Sequence, residues 1–257
     1  MLKHAILYPF FLVAGCIALL IGIFGGSFVW FFVVLLLAVG MTAWGAFDIR
    51  LGYFTDTFFR KKYNAQGVIA LSFDDGPSPY TAEVLQLLNA YQFKATFFCI
   101  GRQVLAYPDM AKQIIDEGHT IGNHTYSHRR NFGFLKEKEV VAELEQCNAI
   151  IQQTVGKKPK FFRPPFGITN PSVAKAVQYT KHQIIGWSNR SLDAVTLEEN
   201  KIYQRVFRKL KSGDIILFHD TSQRTVNVLK RLLPHLQKQG YISVSVDDLL
   251  NLQRYED

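Results

Sequence analysis

The sequence predicts a parallel α/β fold behind a pair of apolar helices. Three observations predict it: a charge-free N-terminal stretch, short β-rich runs alternating with segments of helical period, and polar clusters placed directly after those runs. With 257 residues, 48% of them hydrophobic, the chain has ample material for a buried core, which excludes a disordered chain or a disulfide-stapled miniprotein. Cys16, Cys99 and Cys147 are far apart and unpatterned; they read as small hydrophobes and indicate no redox compartment.

From Ala5 to Phe47 there is no charged residue. Gly25-Gly26-Ser27 divides this stretch into apolar runs at roughly 5–24 and 28–47, each long enough to span a bilayer, so residues 1–50 are expected to form a membrane hairpin. A cleavable signal peptide would have a shorter apolar core, a small-residue cleavage site and a polar mature start; here a second apolar run follows at once. Tyr8, Trp30, Trp44 and Tyr53 lie near the run ends, where such aromatics favour the interface of a bacterial-type inner or plasma membrane. If both runs span, Lys3 at one end and Arg50, Arg60, Lys61 and Lys62 at the other put both termini in the cytoplasm. A single span with a re-entrant partner puts the remainder outside, and the side stays open.

The net charge of +8 falls almost wholly after residue 50, since the first fifty residues hold only Lys3, Asp48 and Arg50 as charged groups. A basic domain beside a bilayer is drawn to membrane lipid or an anionic polymer. Nucleic acid is not an expected partner, because Arg60-Lys61-Lys62, Arg129-Arg130 and Lys157-Lys158 are short, scattered and without interleaved aromatics.

Beyond a linker at 51–67, residues 68–257 read as one catalytic domain. Strand Val68–Phe73 precedes helix Tyr80–Tyr91, and strand Ala95–Ile100 precedes helix Gln103–Glu117. Helix Lys136–Thr154 follows, then strand Phe161–Phe162, helix Pro171–Tyr179 and strand Gln183–Trp187. Helix Leu197–Lys211, strand Asp214–Phe218, helix Thr225–Gln239 and strand Ile242–Val246 complete the series. Ser78-Pro79 opens one helix; Glu198-Glu199 begin another that ends in Arg208, Lys209, Lys211 and Gly213, as the helix dipole favours. About seven strands, each leading to a helix, make a parallel sheet that is either closed as a barrel or open and doubly wound. Both architectures put their chemistry at the C-terminal ends of the strands.

The polar clusters stand at those ends. Ser72–Pro77 holds Asp74 and Asp75, adjacent carboxylates that repel each other unless a cation or a shared proton intervenes; one of them serving as a helix N-cap is the competing reading. His124 and His128 sit four apart, a spacing that lets both imidazoles reach one ion from a helical turn or a tight loop, though a surface pair would look the same. With Asp75 they form a two-histidine, one-carboxylate set that leaves coordination positions open, suited to hydrolytic zinc or to oxygenase iron. In Arg163–Gly167, two prolines remove backbone donors and leave Phe166 N–H as the first free donor for an oxyanion, while Arg163 can hold a carboxylate; a solvated turn is the plainer alternative. The strand Asp214–Phe218 delivers His219, and Trp187–Asp193 follows another strand.

In this order the motifs resemble the polysaccharide deacetylase family, the carbohydrate esterases that share a chitooligosaccharide-deacetylase homology domain. The resemblance runs from about Val68 to Leu250 and rests on Ser72–Pro77, His124–His128, Arg163–Gly167 and Leu217–His219. It implies a distorted (β/α) barrel. It also implies that Asp75, His124 and His128 bind a divalent metal, usually zinc, with cobalt, manganese and nickel as alternatives. Asp74 would be the general base, oriented by Arg163, and His219 the general acid, oriented by Asp193. Phe166, Leu217 and Trp187 are the substrate-binding candidates, with Leu217 lining the acetyl pocket. The fifth motif departs from the family: where many members have two aspartates followed by tryptophan, this chain has Arg190, Asp193 and Ala194. The expected activity is hydrolysis of the N-acetyl amide of an amino sugar in a polysaccharide, peptidoglycan or lipid-linked saccharide. The rivals are a deformylase or deacylase of a polyprenyl-linked sugar, an iron oxygenase, and an inactive glycan-binding module. A retained base and acid argue against the last two. Glycan identity and oligomeric state are not encoded in these motifs.

Overall fold

The computed structural model describes residues 3–62 and 66–256. Residues 63–65 of the expected linker, and residues 1, 2 and 257, lie outside the described residues. Two helices come first, α1 (His4–Ile23) and α2 (Val29–Phe47), joined by a turn in which Gly25 takes φ 94° and Gly26 N–H donates to the Ile21 carbonyl at 2.8 Å. Both are long and apolar enough to cross a membrane, and most of their side chains are exposed.

The chain then alternates. Strand β1 (Thr57–Phe58) is followed by β2 (Val68–Asp74), α3 (Thr81–Ala90), β3 (Ala95–Cys99), α4 (Gly101–Ala106), α5 (Pro108–Asp116) and β4 (Thr120–Asn123). Next come α6 (Glu137–Val155), β5 (Phe161–Phe162), α7 (Pro171–Thr180), β6 (Gln183–Ile185) and β7 (Asn189–Arg190). The order closes with α8 (Glu199–Lys209), β8 (Ile215–His219), α9 (Gln223–Lys238), β9 (Ile242–Ser243) and α10 (Val246–Leu250). All the strands pair in parallel, in the order β1-β6-β5-β4-β3-β2-β8-β7, with β9 also pairing to β2. The sheet curls into a half-barrel, and among the described residues its end strands β1 and β7 do not pair with each other.

Strand alternation sorts the core into two sides. On β2, Ile69, Leu71 and Phe73 face the helices and pack with Val84, Leu85, Val226 and Leu229. Ala70 faces the barrel interior with Phe98, Phe161, Ile185 and Ile215, and α10 closes the bottom through Val246 and Leu249. The same period carries Ser72 and Asp74 up the inside of β2, and Leu217 and His219 up the inside of β8. The barrel interior is therefore apolar at its base and charged at its C-terminal mouth.

Three local expectations change. The single helix expected over Gln103–Glu117 is two, because Pro108 lacks an N–H and forces Tyr107 out of helical geometry (φ −132°, ψ 60°). The expected strand Ile242–Val246 stops at Ser243, since Val246 turns into α10. The stretch expected as a linker contains β1, paired to β6, while Ile49 is buried in a cluster with Phe132, Phe162 and Ile184. The segment leaving α2 is thus part of the barrel wall.

Two buried histidines outside the catalytic motifs make stability depend on pH. His119 Nδ1 accepts the Ala95 N–H at 3.1 Å, and His182 Nε2 lies 3.1 Å from Asn148 Nδ2. Burial pushes both imidazoles down to about 4. Because their folded values lie below the ordinary value near 6.5, the stabilisation is complete above about pH 6.5 and is lost as pH falls towards 4. Thermal unfolding followed by near-UV circular dichroism should show the wild-type midpoint falling through that window relative to the variant that lacks both imidazoles. His119→Gln and His182→Gln together should flatten the slope.

Candidate active site

Each cluster leaves a strand at the same end of the barrel. Asp74 ends β2 and Asp75 follows it with φ 74°; His124 follows β4, Arg163 follows β5, and His219 ends β8. Asp193 lies just past β7 and is fully buried. A left-handed φ on a non-glycine residue costs energy, so the turn that aims Asp75 must be held by its surroundings.

Arg163 and Asp74 form the centre of the mouth. The Arg163 side chain has no exposed surface and Asp74 is 4% exposed. Arg163 Nη1 donates to Asp74 Oδ1 at 2.7 Å and to Ser72 Oγ at 2.9 Å, Nε donates to the Ile185 carbonyl at 3.0 Å, and Nη2 to the Gly186 carbonyl at 2.9 Å. Its guanidinium stacks 4.0 Å from the centre of the Phe98 ring. Gly122 makes room for that ring, since a Cβ there would collide with it. These contacts offset the desolvation of both charges and turn Asp74 so that its other oxygen faces His124 Nε2 at 3.9 Å.

Asp75, His124 and His128 converge from two loops. Asp75 Oδ1 is buried, has no hydrogen-bond partner among the described residues, and lies 3.3 Å from His124 Nε2 and 3.5 Å from His128 Nε2. With ligand bonds near 2 Å, the edge of a zinc tetrahedron is about 3.4 Å. One ligand atom from each of the three residues lies within 4.8 Å of the others. An orphaned carboxylate oxygen beside two imidazole nitrogens fits a divalent cation in both donor type and spacing. The imidazoles come from a loop rather than a helix: Thr125 and His128 take φ 65° and 48°. Glu143 of α6 secures that loop by accepting Ser127 N–H at 2.8 Å and Ser127 Oγ–H at 2.6 Å. His124 Nδ1 lies 2.7 Å from the Arg163 carbonyl, which fixes the ring and leaves Nε2 for the site.

His219 stands opposite. Its Nδ1 is 2.8 Å from Asp193 Oδ1, its N–H donates to Asp193 Oδ2 at 2.8 Å, and its Nε2 lies 4.0 Å from Asp75 Oδ2. Ser191 and Thr225 hydroxyls donate to the Asp193 carboxylate at 2.8 and 2.7 Å. Burial alone would lower the His219 value, but the hydrogen bond and charge of Asp193, with Asp74 and Asp75, push it up to about 9. Burial would raise Asp75, yet His124, His128 and His219 hold it well below the usual carboxylate range. Burial raises Asp220 to about 7; its carboxyl accepts a Thr81 hydroxyl, and a side chain at Gly76 would run into it.

All ten residues singled out in the sequence meet in this region. Phe166 is half exposed at φ 60°, its ring 4.9 Å from that of His128. Leu217 is buried on the inner face of β8, outside the three apolar clusters. Trp187 packs against Gly167, with Arg163 Cζ 5.7 Å from its ring centre. Arg190, the departure in the fifth motif, is exposed, with its Cζ 5.5 Å from the same ring. Sequence reasoning assigned no role to Glu143, Ser191, Thr225 or Asp220. Glu143 and Thr225 sit on helices remote in sequence, and no motif spacing could have linked them to the loops they hold.

The family model for polysaccharide deacetylase matches residues 61–185. Over 193 residues the chain is 39% identical to a peptidoglycan-N-acetylglucosamine deacetylase of Bacillus cereus, an alignment that covers 73% of this chain and 90% of that relative. The chain belongs to the polysaccharide deacetylase family. It is also 31% identical over 193 residues to the peptidoglycan-N-acetylmuramic acid deacetylase PdaC of Bacillus subtilis, covering 75% of this chain and 40% of that one. A solved peptidoglycan N-acetylglucosamine deacetylase in complex with an N-hydroxybenzamide superposes with a TM-score of 0.73 at 31% identity, covering 78% of this chain and 95% of that chain. A protein of Bacillus anthracis described as a CE4 family pseudoenzyme superposes with a TM-score of 0.70 at 29% identity, covering 76% and 71%. The family and the barrel read from the motifs are both borne out.

Metal content should follow the geometry. Asp75→Ala or His128→Ala is expected to abolish zinc retention measured by elemental analysis after dialysis, whereas His219→Ala keeps the metal. Glu143→Ala, which frees the His128 loop, should weaken zinc by about 10- to 100-fold in a chelator competition.

Proposed function

We propose that this chain is a membrane-anchored, divalent-metal-dependent hydrolase that removes the N-acetyl group from an amino sugar of peptidoglycan or of a lipid-linked saccharide. The observation that carries this reading is the convergence of Asp74, Asp75, His124, His128 and His219 on one barrel mouth, with Arg163 holding Asp74 and His124, and Asp193 holding His219. Asp75, His124 and His128 would hold the cation, with zinc the first choice and cobalt, manganese or nickel as alternatives. A cation bound there would supply an acidified water and polarise the amide carbonyl.

The chain's own residues supply the proton movements and the positioning. Asp74, pinned through Oδ1 by Arg163, directs Oδ2 towards the cluster and takes the proton of the attacking water. His219, whose Nδ1 is bonded to Asp193, presents Nε2 to the cluster from the opposite side and gives the departing amine its proton. The Phe166 N–H is the candidate donor to the developing oxyanion, and Leu217 beneath the mouth would receive the acetyl methyl. The relatives named as peptidoglycan deacetylases support N-acetylglucosamine or N-acetylmuramic acid as the sugar. A binding module would need neither a positioned base nor a positioned acid, which is why hydrolysis is preferred over the reading that the pseudoenzyme neighbour invites.

Two apolar helices of 20 and 19 residues support an anchored enzyme. The hairpin also forms part of the site's support, since Thr169 N–H, three residues after Phe166, donates to the Ala46 carbonyl of α2 at 3.0 Å. A cleaved leader would remove that contact.

The test is acetate release from N-acetylglucosamine oligomers and peptidoglycan by the detergent-solubilised full chain, metal-stripped and then reloaded with zinc or cobalt. Activity should return only with metal. Asp74→Asn and His219→Ala should each lower turnover by about 10²- to 10⁴-fold while zinc content stays intact. Wild-type turnover in either variant would remove that residue from its role.

A further inference from the structure

A cavity of about 350 Å³ lies where the end of α2 meets α8 and the segment that links β6 to β7. Arg50, Arg190, Arg205 and Lys209 line it, and Asp48 supplies its one carboxylate. That carboxylate is already taken: Arg50 holds it through Nε at 2.8 Å and Nη2 at 2.7 Å. Among the described residues, Arg190, Arg205 and Lys209 form no ion pair; Arg205 Nε donates to the Arg190 backbone carbonyl at 2.8 Å, and the Arg190 guanidinium lies over the Trp187 ring. Three unpaired cations around one cavity repel each other, and an anion would relieve them.

The remaining wall shows where that anion comes from. Trp44 and Phe47, in the last turn of α2, line the cavity and are 54% and 71% exposed. The cavity therefore opens at the level where the apolar helix ends, which is the depth of lipid phosphates if the hairpin lies in a bilayer. Guanidinium forks match phosphate oxygens in geometry as well as charge. We propose that this cavity binds the phosphate of an anionic membrane lipid, its acyl or prenyl tail running along α2.

Trp187 belongs to this cavity and also packs against Gly167 in the catalytic loop, so the phosphate would sit one aromatic ring away from the amide-hydrolysing residues. An amino sugar joined to its lipid through phosphate has that anion a few bonds from its acyl amide, and a substrate of this kind would occupy both places at once. The inference rests on the membrane-anchored reading, which alkaline carbonate extraction of membranes tests separately.

The full chain carrying Trp30→Phe, in phosphatidylcholine nanodiscs, is titrated with phosphatidylglycerol in one arm and with a polyprenyl-diphosphate N-acetylglucosamine in the other, following tryptophan fluorescence from Trp44 and Trp187. A saturable change is expected in at least one arm, and Arg205→Gln with Lys209→Gln should weaken it about thirtyfold. Arg205→Lys, which keeps the charge, should restore most of it, and Lys209→Gln alone guards against a local folding defect at β7. Saturation by both lipids assigns a bound phospholipid; saturation by the saccharide lipid alone assigns a substrate. Deacetylation of soluble N-acetylglucosamine oligomers should be unchanged in the double variant, so failure of the hydrolytic reading is seen independently. No saturable change with either lipid, or equal affinity in the double variant, overturns the proposal.

Discussion

The buried pair of Arg163 and Asp74 is the constraint around which the barrel mouth is arranged. Two charges with almost no solvent access are tolerable only if each finds dense compensation, and Arg163 finds it in one carboxylate, one hydroxyl, two backbone carbonyls and the face of Phe98. Removing the arginine would leave an uncompensated carboxylate in the barrel, a change that typically costs about 3–5 kcal/mol. The pair also ties β2, β5 and the end of β6 together at the level where the loops begin. From that fixed point the surrounding charges alternate. Carboxylates of Asp74 and Asp75 stand among the imidazoles of His124, His128 and His219, and the last of these is backed by Asp193.

The hairpin is joined to this framework at its lower end. Ile49 enters an apolar cluster with Val173 and Ile184, Gly45 packs so closely on Tyr53 that a side chain there would collide with its ring, and Thr169 bonds to the α2 backbone. Lys3 meets Asp56 at 2.6 Å on the exposed surface, a pair that adds little by itself. The catalytic mouth and the end of the apolar helices therefore have a set spatial relation. If the helices lie in a membrane, as proposed, this junction holds the site at a defined place relative to that surface, an arrangement suited to a substrate held near it.

Much of the fold was legible because periodicity and breakers are local signals. The apolar runs around Gly25-Gly26, the βα alternation and the placement of Asp74, Asp75, His124, His128, Arg163 and His219 after strands could all be read along the chain. Short strands were harder. β1 and β7 have two residues each and exist because partners across the sheet pair with them, so Thr57–Phe58 looked like linker. Pro108 was visible in the sequence, yet whether a proline kinks or ends a helix depends on what the two halves pack against, and here α4 and α5 each find a place against α6.

By itself the sequence determined which side chains carry charge, nucleophilic or metal-binding capacity, and in which order they leave the strands, because residue type and strand period are properties of the chain. Only the tertiary structure decided which of them meet, since Asp75 and His128 are brought to 3.5 Å by the parallel register of β2, β3 and β4 and not by any spacing. It also decided who holds them: Glu143 beneath the His128 loop, Thr225 and Ser191 on Asp193, and Phe98 under Arg163. Hydrogen bonds between groups far apart in the chain leave no period in the sequence, so these supports appear only once the sheet has curled.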